Sequence, residues 1–432
     1  MKRVGPFILC CVFLVIVTAC SVAGQEKYRI KAKPVEIEVV TSFADSKESE
    51  NAYREAYQSW EQVSQLVVAD KSFGAGRSYE ERVVMDFITG SEPDVLFFST
   101  GESAEAFISA GKVVSVEEIH REFPTYGENQ EIDKFLGSGA DGKSYAMPVN
   151  ASWEAMFVNK AVLREAGVQV PDADYTWDAF LQDCEKIKHS EFVPIAAALG
   201  DAPESWWDYL VLNNMDPELR TQKITAREKA LIKEKGLEEL QKLHTLGYLP
   251  KNTTHLKAEK AMEMFLQGKA AFFVGNSASM EKIIQACQSD KNDSATLDEE
   301  MLKNFGIVYF PGTKNRAATE VICKVSAGYY ITRKAWESPE KREAAVEFVS
   351  HMTSDEVAPK FTENSLSLLV KKPRVDLEDL NSLQTDARRL MRSATICMEN
   401  QQAIFAQKSE IGIADTIVQM LTGEMGPKEA AK

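Results

Sequence analysis

The 432-residue chain is poor in histidine, has no paired-cysteine motif and carries no basic excess. It contains five histidines and seven cysteines, and no two cysteines have the Cys-x-x-Cys spacing of zinc sites, so we expect no metal site. The formal net charge of −15 argues against a nucleic-acid partner, which would favour a basic face. No Gly-x-Ser-x-Gly, His-Glu-x-x-His or phosphate-loop motif occurs, and we therefore expect neither catalysis nor a cofactor.

A long apolar run occurs at the N-terminus, where residues 7–17 follow the basic pair Lys2 and Arg3. The run is shorter than the roughly 20 residues that span a bilayer, and it fits the core of a signal peptide. It ends in Val-Thr-Ala before Cys20, which resembles the lipobox of bacterial lipoproteins. That resemblance implies a signal peptide over 1–19, lipidation of Cys20, a tether over 20–33 and a lipid anchor at the extracytoplasmic face of the cell membrane. The alternative is an ordinary secretory signal with an incidental cysteine.

The remaining chain is too long for one simple core, which favours two lobes. Residues 35–40 alternate between apolar and polar and predict a strand, whereas residues 93–98 form the continuous apolar run of a strand that is covered on both faces. Helical patterns lie between such strands. The stretch 141–160 is rich in aromatic residues, and we interpret it as the first crossing between the lobes, with a binding cleft beside it.

Four cysteines lie well inside the exported part of the chain: Cys184, Cys287, Cys323 and Cys397. Disulfides form in oxidising compartments, so one or two are compatible with this location. Buried free thiols are the alternative, and spacing does not decide between them.

The order of these landmarks resembles the family 1 extracellular solute-binding proteins of bacterial ABC importers, to which the maltose-binding protein belongs. The likeness extends over almost the whole exported chain. It rests on the stretches 90–95, 110–113, 142–148, 157–160, 166–168, 176–180, 268–272, 326–330 and 338–349.

The resemblance implies an α/β, two-lobed periplasmic-binding-protein fold of the type II-like kind, with a hinge that is crossed more than once and a cleft between the lobes. One lobe would contain residues 34–149 plus 323–369, and the other would contain 150–322 plus 370–432. The implied protein is a monomer that captures a carbohydrate in the cleft and delivers it to the membrane subunits of an ABC permease.

Sugars stack their C–H faces on aromatic rings and pair their hydroxyls with carboxylates and amides. Trp206 and Trp207 occupy a position where the resemblance implies an aromatic cleft wall, and Glu204 and Asp208 flank them as hydroxyl acceptors. Adjacent tryptophans point in different directions, so we expect one of the two to face the solute. The alternative is that both lie in the core.

Further candidate contacts come from the ends of predicted strands. They are Phe43 after the first strand, Ser99 and Glu102 after the strand 93–98, Trp153 beside the crossing, and Asn276 with Ser277 after the strand 270–274. Two alternatives remain open: Glu102 could serve only as a helix-start carboxylate, and Trp153 could pack in the hinge. Many sugar-binding relatives have Gly-x-Trp after the last of these strands, and this chain has no tryptophan there.

Two other functions fit the same sequence. One is a binding protein for a non-sugar solute such as a peptide or a polyamine. The other is a sensor lipoprotein that presents its ligand to a receptor.

Overall fold

The structure, a computed structural model, describes residues 34–44, 47–64, 66–74, 77–100, 102–130, 141–221, 224–288, 296–358, 368–369, 380–398 and 412–432. The expected signal peptide 1–19, Cys20 and the tether 20–33 lie outside these residues. Within them, no helix combines the length and the apolar character that crossing a membrane requires.

Ten strands are described: β1 Glu36–Val40, β2 Val67–Asp70, β3 Val95–Ser99, β4 Met147–Asn159, β5 Val193–Ile195, β6 Ala270–Asn276, β7 Phe305–Val308, β8 Glu320–Ile331, β9 Leu368–Leu369 and β10 Ile396–Met398. The α-helices are α1 Lys47–Ser64, α2 Arg77–Thr89, α3 Glu102–Ser109, α4 Val116–Glu122, α5 Lys160–Glu165, α6 Trp177–His189, α7 Glu204–Asn214, α8 Ala226–Thr245, α9 Ala258–Leu266, α10 Ser277–Ala286, α11 Glu299–Leu302, α12 Arg333–Glu337, α13 Pro339–Met352, α14 Ser382–Ser393, α15 Ile413–Leu421 and α16 Pro427–Ala430. A 3₁₀ helix covers Pro217–Thr221.

The first lobe is a sheet with helices on both faces. Strand β1 runs parallel to β2 and β3, and β3 pairs antiparallel with β8. Residues of α1, α4 and α13 form the apolar core on one face, and residues of α2 and α3 form the core on the other. The buried pattern of β3, whose first four residues are all inaccessible, confirms the prediction of a strand covered on both sides.

The second lobe repeats this layering around the C-terminal half of β4. Strands β6 and β7 pair antiparallel with β4, and β5 adds to β6 in parallel. Helices α6, α7 and α8 contribute to the core on one face, whereas α9, α10 and α14 contribute to the core on the other. Local signals set the helix boundaries: the hydroxyl of Thr176 accepts a hydrogen bond from the amide of Ala179 and caps α6 as predicted.

Two long strands join the lobes. The first half of β4 pairs with β8 from Met147 to Trp153, and its second half belongs to the other sheet. Strand β9 adds a further contact, opposite Asn150 and Ala151 of β4. This two-lobed α/β architecture, with a hinge crossed more than once, is the predicted fold. The boundaries 34–149 plus 323–369 and 150–322 plus 370–432 remain a prediction.

The cysteines divide into one pair and two free thiols. Cys323 of β8 and Cys397 of β10 form a disulfide across neighbouring parallel strands, with their Cα atoms 5.3 Å apart. Cys184 and Cys287 are free and buried. The disulfide lies next to the place where β4 and β8 separate, so it ties the C-terminal segment to the hinge.

Candidate functional site

Helix α7 positions the main cluster of polar side chains. It begins at Glu204 directly after Pro203, and its residues from Trp206 to Asn213 are all buried. A helix that is buried on every side lies in the middle of a protein. Helix α7 is therefore a central helix of the second lobe, and its first turn is the part that remains accessible.

Three side chains of this helix lie near Glu154 of β4. The hydroxyl of Ser205 hydrogen-bonds to the Glu154 carboxyl, and the charges of Asp208 and Glu204 act on the same carboxyl. The pairing of Glu154 with Asn276 brings the end of β6 beside the group. We call Glu154, Glu204, Ser205, Asp208 and Asn276 the polar cluster.

The cluster changes the acidity of its central member. Burial raises the pKa of Glu154 most, the neighbouring charges of Asp208 and Glu204 raise it further, and the Ser205 hydroxyl opposes them, for a pKa of about 8. Glu154 therefore holds a proton at neutral pH. A protonated carboxyl donates one hydrogen bond and also accepts, whereas a carboxylate only accepts. Its Oε2 atom is buried with no hydrogen-bond partner among the described residues, and a bound hydroxyl could supply that partner.

The tryptophans of α7 do not form the exposed wall that we expected. Trp206 is 2% exposed and packs against Phe180 and Phe310, and Trp207 lies against Gly236 of α8. The reason is the central position of α7, which turns both indoles into the lobe interior. Both tryptophans therefore lie in the core, which was the alternative to a cleft wall.

Trp153 is also an interior residue. It is 1% exposed, stacks on Phe157 at 6.1 Å between ring centroids, and pairs with Cys323 in the last β4–β8 pair. This position corresponds to the hinge-packing alternative. Asp208, which we expected to accept hydrogen bonds from a sugar, is fully buried, and its charge acts on Glu154.

The candidates on the first lobe lie at the carboxyl ends of its strands. Phe43 is half-buried and packs against Phe97, with ring centroids 4.6 Å apart and ring planes tilted by 32°. The Ser99 hydroxyl is buried and has no hydrogen-bond partner among the described residues, whereas its carbonyl accepts from Tyr330. Glu102 is the first residue of α3, which fits a helix-start carboxylate, and its side chain lies outside the described part.

Asn276 and Ser277 lie where β6 passes into α10. Asn276 is exposed, and its Oδ1 atom accepts a hydrogen bond from the amide of Ala278 at 3.1 Å, so the side chain caps α10. Ser277 is half-buried as the first residue of the helix. Neither role prevents a contact with a solute in the cleft.

Sequence reasoning missed Glu154 and Ser205. A signal for Glu154 was present, because it is the one charged residue between Trp153 and Asn159 in a strand that is otherwise apolar or neutral. A carboxyl group in such a strand needs a partner or a proton. The partners come from α7, about fifty residues later, and no local pattern shows that proximity.

A family model for bacterial extracellular solute-binding proteins matches residues 65–359, well over half of the chain. The chain belongs to this family. Its members bind solutes outside the cytoplasm and work with ABC transporters, so the binding-protein fold and the extracytoplasmic location follow from membership. Among the described residues, no three His, Cys, Asp or Glu side chains come together in a group that could hold a metal ion.

Solved structures share the whole architecture. A probable secreted solute-binding lipoprotein from Streptomyces coelicolor superimposes with a TM-score of 0.72 at 15% identity, covering 93% of this chain and 98% of its own. A chitin oligosaccharide binding protein gives a TM-score of 0.62 at 18% identity, with coverages of 93% and 97%. A cyclo/maltodextrin-binding protein, complexed with maltotetraose, gives 0.65 at 15% identity, with coverages of 93% and 96%.

Curated relatives match over a short segment. A Brucella abortus (strain 2308) protein described as a binding protein is 43% identical over 58 residues, which is 13% of this chain and 14% of the relative. Because the match spans about one seventh of that relative, it adds no assignment of solute.

Proposed function

We propose that this extracellular solute-binding protein captures a carbohydrate between its lobes and delivers it to an ABC permease. Two of the structures that share its fold are described as binding chitin oligosaccharide and maltotetraose. At their level of identity they support the fold, and the choice of solute depends on the chemistry of this chain.

The observation that carries the proposal is the Glu154 carboxyl. It is protonated at neutral pH and leaves Oε2 buried without a partner among the described residues. A sugar hydroxyl both donates and accepts, so it matches a neutral carboxyl that does the same. Ser205 offers a hydroxyl and Asn276 offers a side-chain amide beside this carboxyl. A solute that leaves a buried polar group of the site without a hydrogen bond loses about 1–3 kcal/mol.

On the opposite lobe, Phe43 and Ser99 supply an aromatic ring and a buried hydroxyl. We propose that the solute bridges these two residues and the polar cluster, and that this bridge closes the lobes. Hinge closure of this kind is how periplasmic binding proteins enclose their ligands. We further propose that the protein acts as a monomer held at the membrane by lipid on Cys20.

A thermal-shift screen of the purified protein tests the solute class. The panel contains D-galactose, maltotetraose, chitin oligosaccharides, amino acids and spermidine. A compound at 100 times its dissociation constant stabilises the folded state by about 2.7 kcal/mol. A saccharide hit that is lost in Glu154→Ala and kept in the exposed-site control Glu238→Ala supports the proposal. Stabilisation by amino acids or spermidine alone rejects it.

A cationic solute is the second candidate, because the polar cluster contains the carboxyl groups of Glu154, Glu204 and Asp208. An amine prefers ionised carboxylates, so its affinity should rise as the pH passes through the pKa of Glu154, about 8. A neutral sugar that accepts a hydrogen bond from the protonated Glu154 carboxyl should bind more weakly as the pH rises through the same range. The sign of the pH dependence, measured by titration calorimetry at pH 6 to 9, separates the two solute classes.

A further inference from the structure

The two hinge strands separate at a defined residue. The last pair between β4 and β8 joins Trp153 to Cys323, so the next pair in register would join Glu154 to Ile322. Instead, Glu154 pairs with Asn276 of β6, and Ile322 pairs with Met398 of β10. The backbones of Glu154 and Ile322 therefore do not pair with each other, and the lobes diverge at this point.

A side chain of α7 occupies this gap. The hydroxyl of Tyr209 donates a hydrogen bond to the carbonyl of Glu154 at 2.6 Å and accepts one from the amide of Ile322 at 3.4 Å. It thereby bridges the two strands at the position where their own ladder stops. Buried backbone groups need partners, and one hydroxyl serves both strands here.

The Tyr209 ring is held rigidly. It is fully buried and stacks on Phe310 with centroids 4.3 Å apart and planes 4° from parallel. The guanidinium group of Arg316 lies 5.0 Å from the ring centroid, and Arg316 is itself 1% exposed. Arg316 is fixed by the side chain of Asn213 and by backbone carbonyls of Phe310, Pro311, Ala317, Ala318 and Glu320.

The same turn of α7 reaches Glu154 twice. Tyr209 contacts its backbone carbonyl, and the adjacent Asp208 acts on its side chain. A displacement of α7 therefore moves the Glu154 carboxyl group and the point of strand divergence together.

We propose that the Tyr209 hydroxyl is a hinge-positioning group, which bridges β4 and β8 where they diverge and couples helix α7 to the opening of the lobes. Only the consequence for affinity rests on the proposed function. The mechanical part follows from the fold and can be measured without any solute.

The test compares Tyr209→Phe with Tyr309→Phe in the ligand-free protein. Tyr309 is the matched control, since it is also a buried tyrosine of the second lobe whose hydroxyl donates to one backbone carbonyl, that of Leu390, at 2.7 Å. Each variant keeps its ring and loses one hydroxyl. Hydrogen exchange reports on the amides of each segment, and small-angle X-ray scattering reports on the opening of the lobes through the radius of gyration.

We expect Tyr209→Phe to speed exchange at least tenfold at Ile322 and to change the radius of gyration. Tyr309→Phe should leave both unchanged. Equal hinge exchange and equal scattering in the two variants would overturn the inference. If Tyr209→Phe does not fold, Phe310→Leu keeps the hydroxyl but removes the stacked ring, and the same hinge signature is expected. If the wild type binds no saccharide, the proposed function is rejected. The comparison of Tyr209→Phe with Tyr309→Phe in the ligand-free protein still tests the hinge role of Tyr209.

Discussion

Replacing Glu154 with glutamine should change how the stability of the protein depends on pH. The folded protein holds the pKa of Glu154 at about 8 against an ordinary value of 4.5. A carboxyl whose pKa is raised on folding contributes its full stability below the ordinary value, and this contribution is lost as the pH rises towards the folded value. Stability should therefore fall between about pH 4.5 and 8 and level off above that range.

The size of the loss follows from the difference between the two pKa values. Three and a half units correspond to about 5 kcal/mol at the alkaline limit, since each unit is about 1.4 kcal/mol. Because the surroundings relax and admit water when a buried carboxyl ionises, the realised loss is smaller, and we expect roughly 2–3 kcal/mol. Glutamine has similar shape and no charge, so Glu154→Gln should remove most of this dependence.

The assay is urea unfolding of the wild type and the variant at pH 5, 7 and 9. The free energy of unfolding of Glu154→Gln, taken relative to the wild type, should increase from pH 5 to pH 9. Glu238→Gln, at an exposed position of α8, serves as the control and should follow the wild type at every pH. If the curves of wild type and Glu154→Gln are parallel, Glu154 does not carry the raised pKa and the reasoning is refuted.

Three further substitutions test the framework around the site. Replacing both Cys323 and Cys397 with alanine removes a disulfide between positions 74 residues apart, and the lost loop-closure entropy should lower the free energy of unfolding by about 4 kcal/mol. Guanidinium unfolding measures this loss. The wild type should lose the same amount when reductant is added. Arg316→Met leaves several buried carbonyls without a donor and should cost about 3–5 kcal/mol by the same assay, whereas Arg227→Met, at an exposed position of α8, should cost little. Asn159→Ala removes the cap of α5 and should lower the free energy of unfolding by about 1–2 kcal/mol. Thermal unfolding should show this loss as a lower midpoint temperature.

Local patterns were sufficient to predict many of the individual strands and helices, because each carries its own signal. The apolar run before Ser99 predicted a strand covered on both faces, and the aromatic-rich stretch 141–160 predicted the crossing between the lobes. A sheet that must bury both faces between helices leaves few arrangements for such elements. The family resemblance then supplied the order in which the chain crosses the hinge.

The details of the site depended on information that no local pattern holds. Trp206 was expected at a cleft wall because of its residue type and the family resemblance, although every residue from Trp206 to Leu212 except Asp208 is apolar, which indicates a buried helix. The proton on Glu154 depends on Asp208 and Ser205, which lie about fifty residues away in sequence. Contacts of that kind become visible only when the strands and helices are placed in space.

In the proposed function, Glu154 connects recognition with closure, since its carbonyl accepts a hydrogen bond from the Tyr209 hydroxyl and its carboxyl lies in the polar cluster. A solute closes the lobes only to the extent that it binds the closed form more tightly than the open one. Shifting the lobes from 1% to 99% closed requires about 5.5 kcal/mol of this preference. Contacts with the polar cluster alone exist in both forms and contribute little to it. The preference must therefore come from contacts made across the cleft, and at about 0.5–1.5 kcal/mol for each neutral hydrogen bond at least four such contacts are needed to supply it. This requirement directs the search for specificity to the first lobe, where the buried Ser99 hydroxyl and the half-buried Phe43 ring lie at the strand ends.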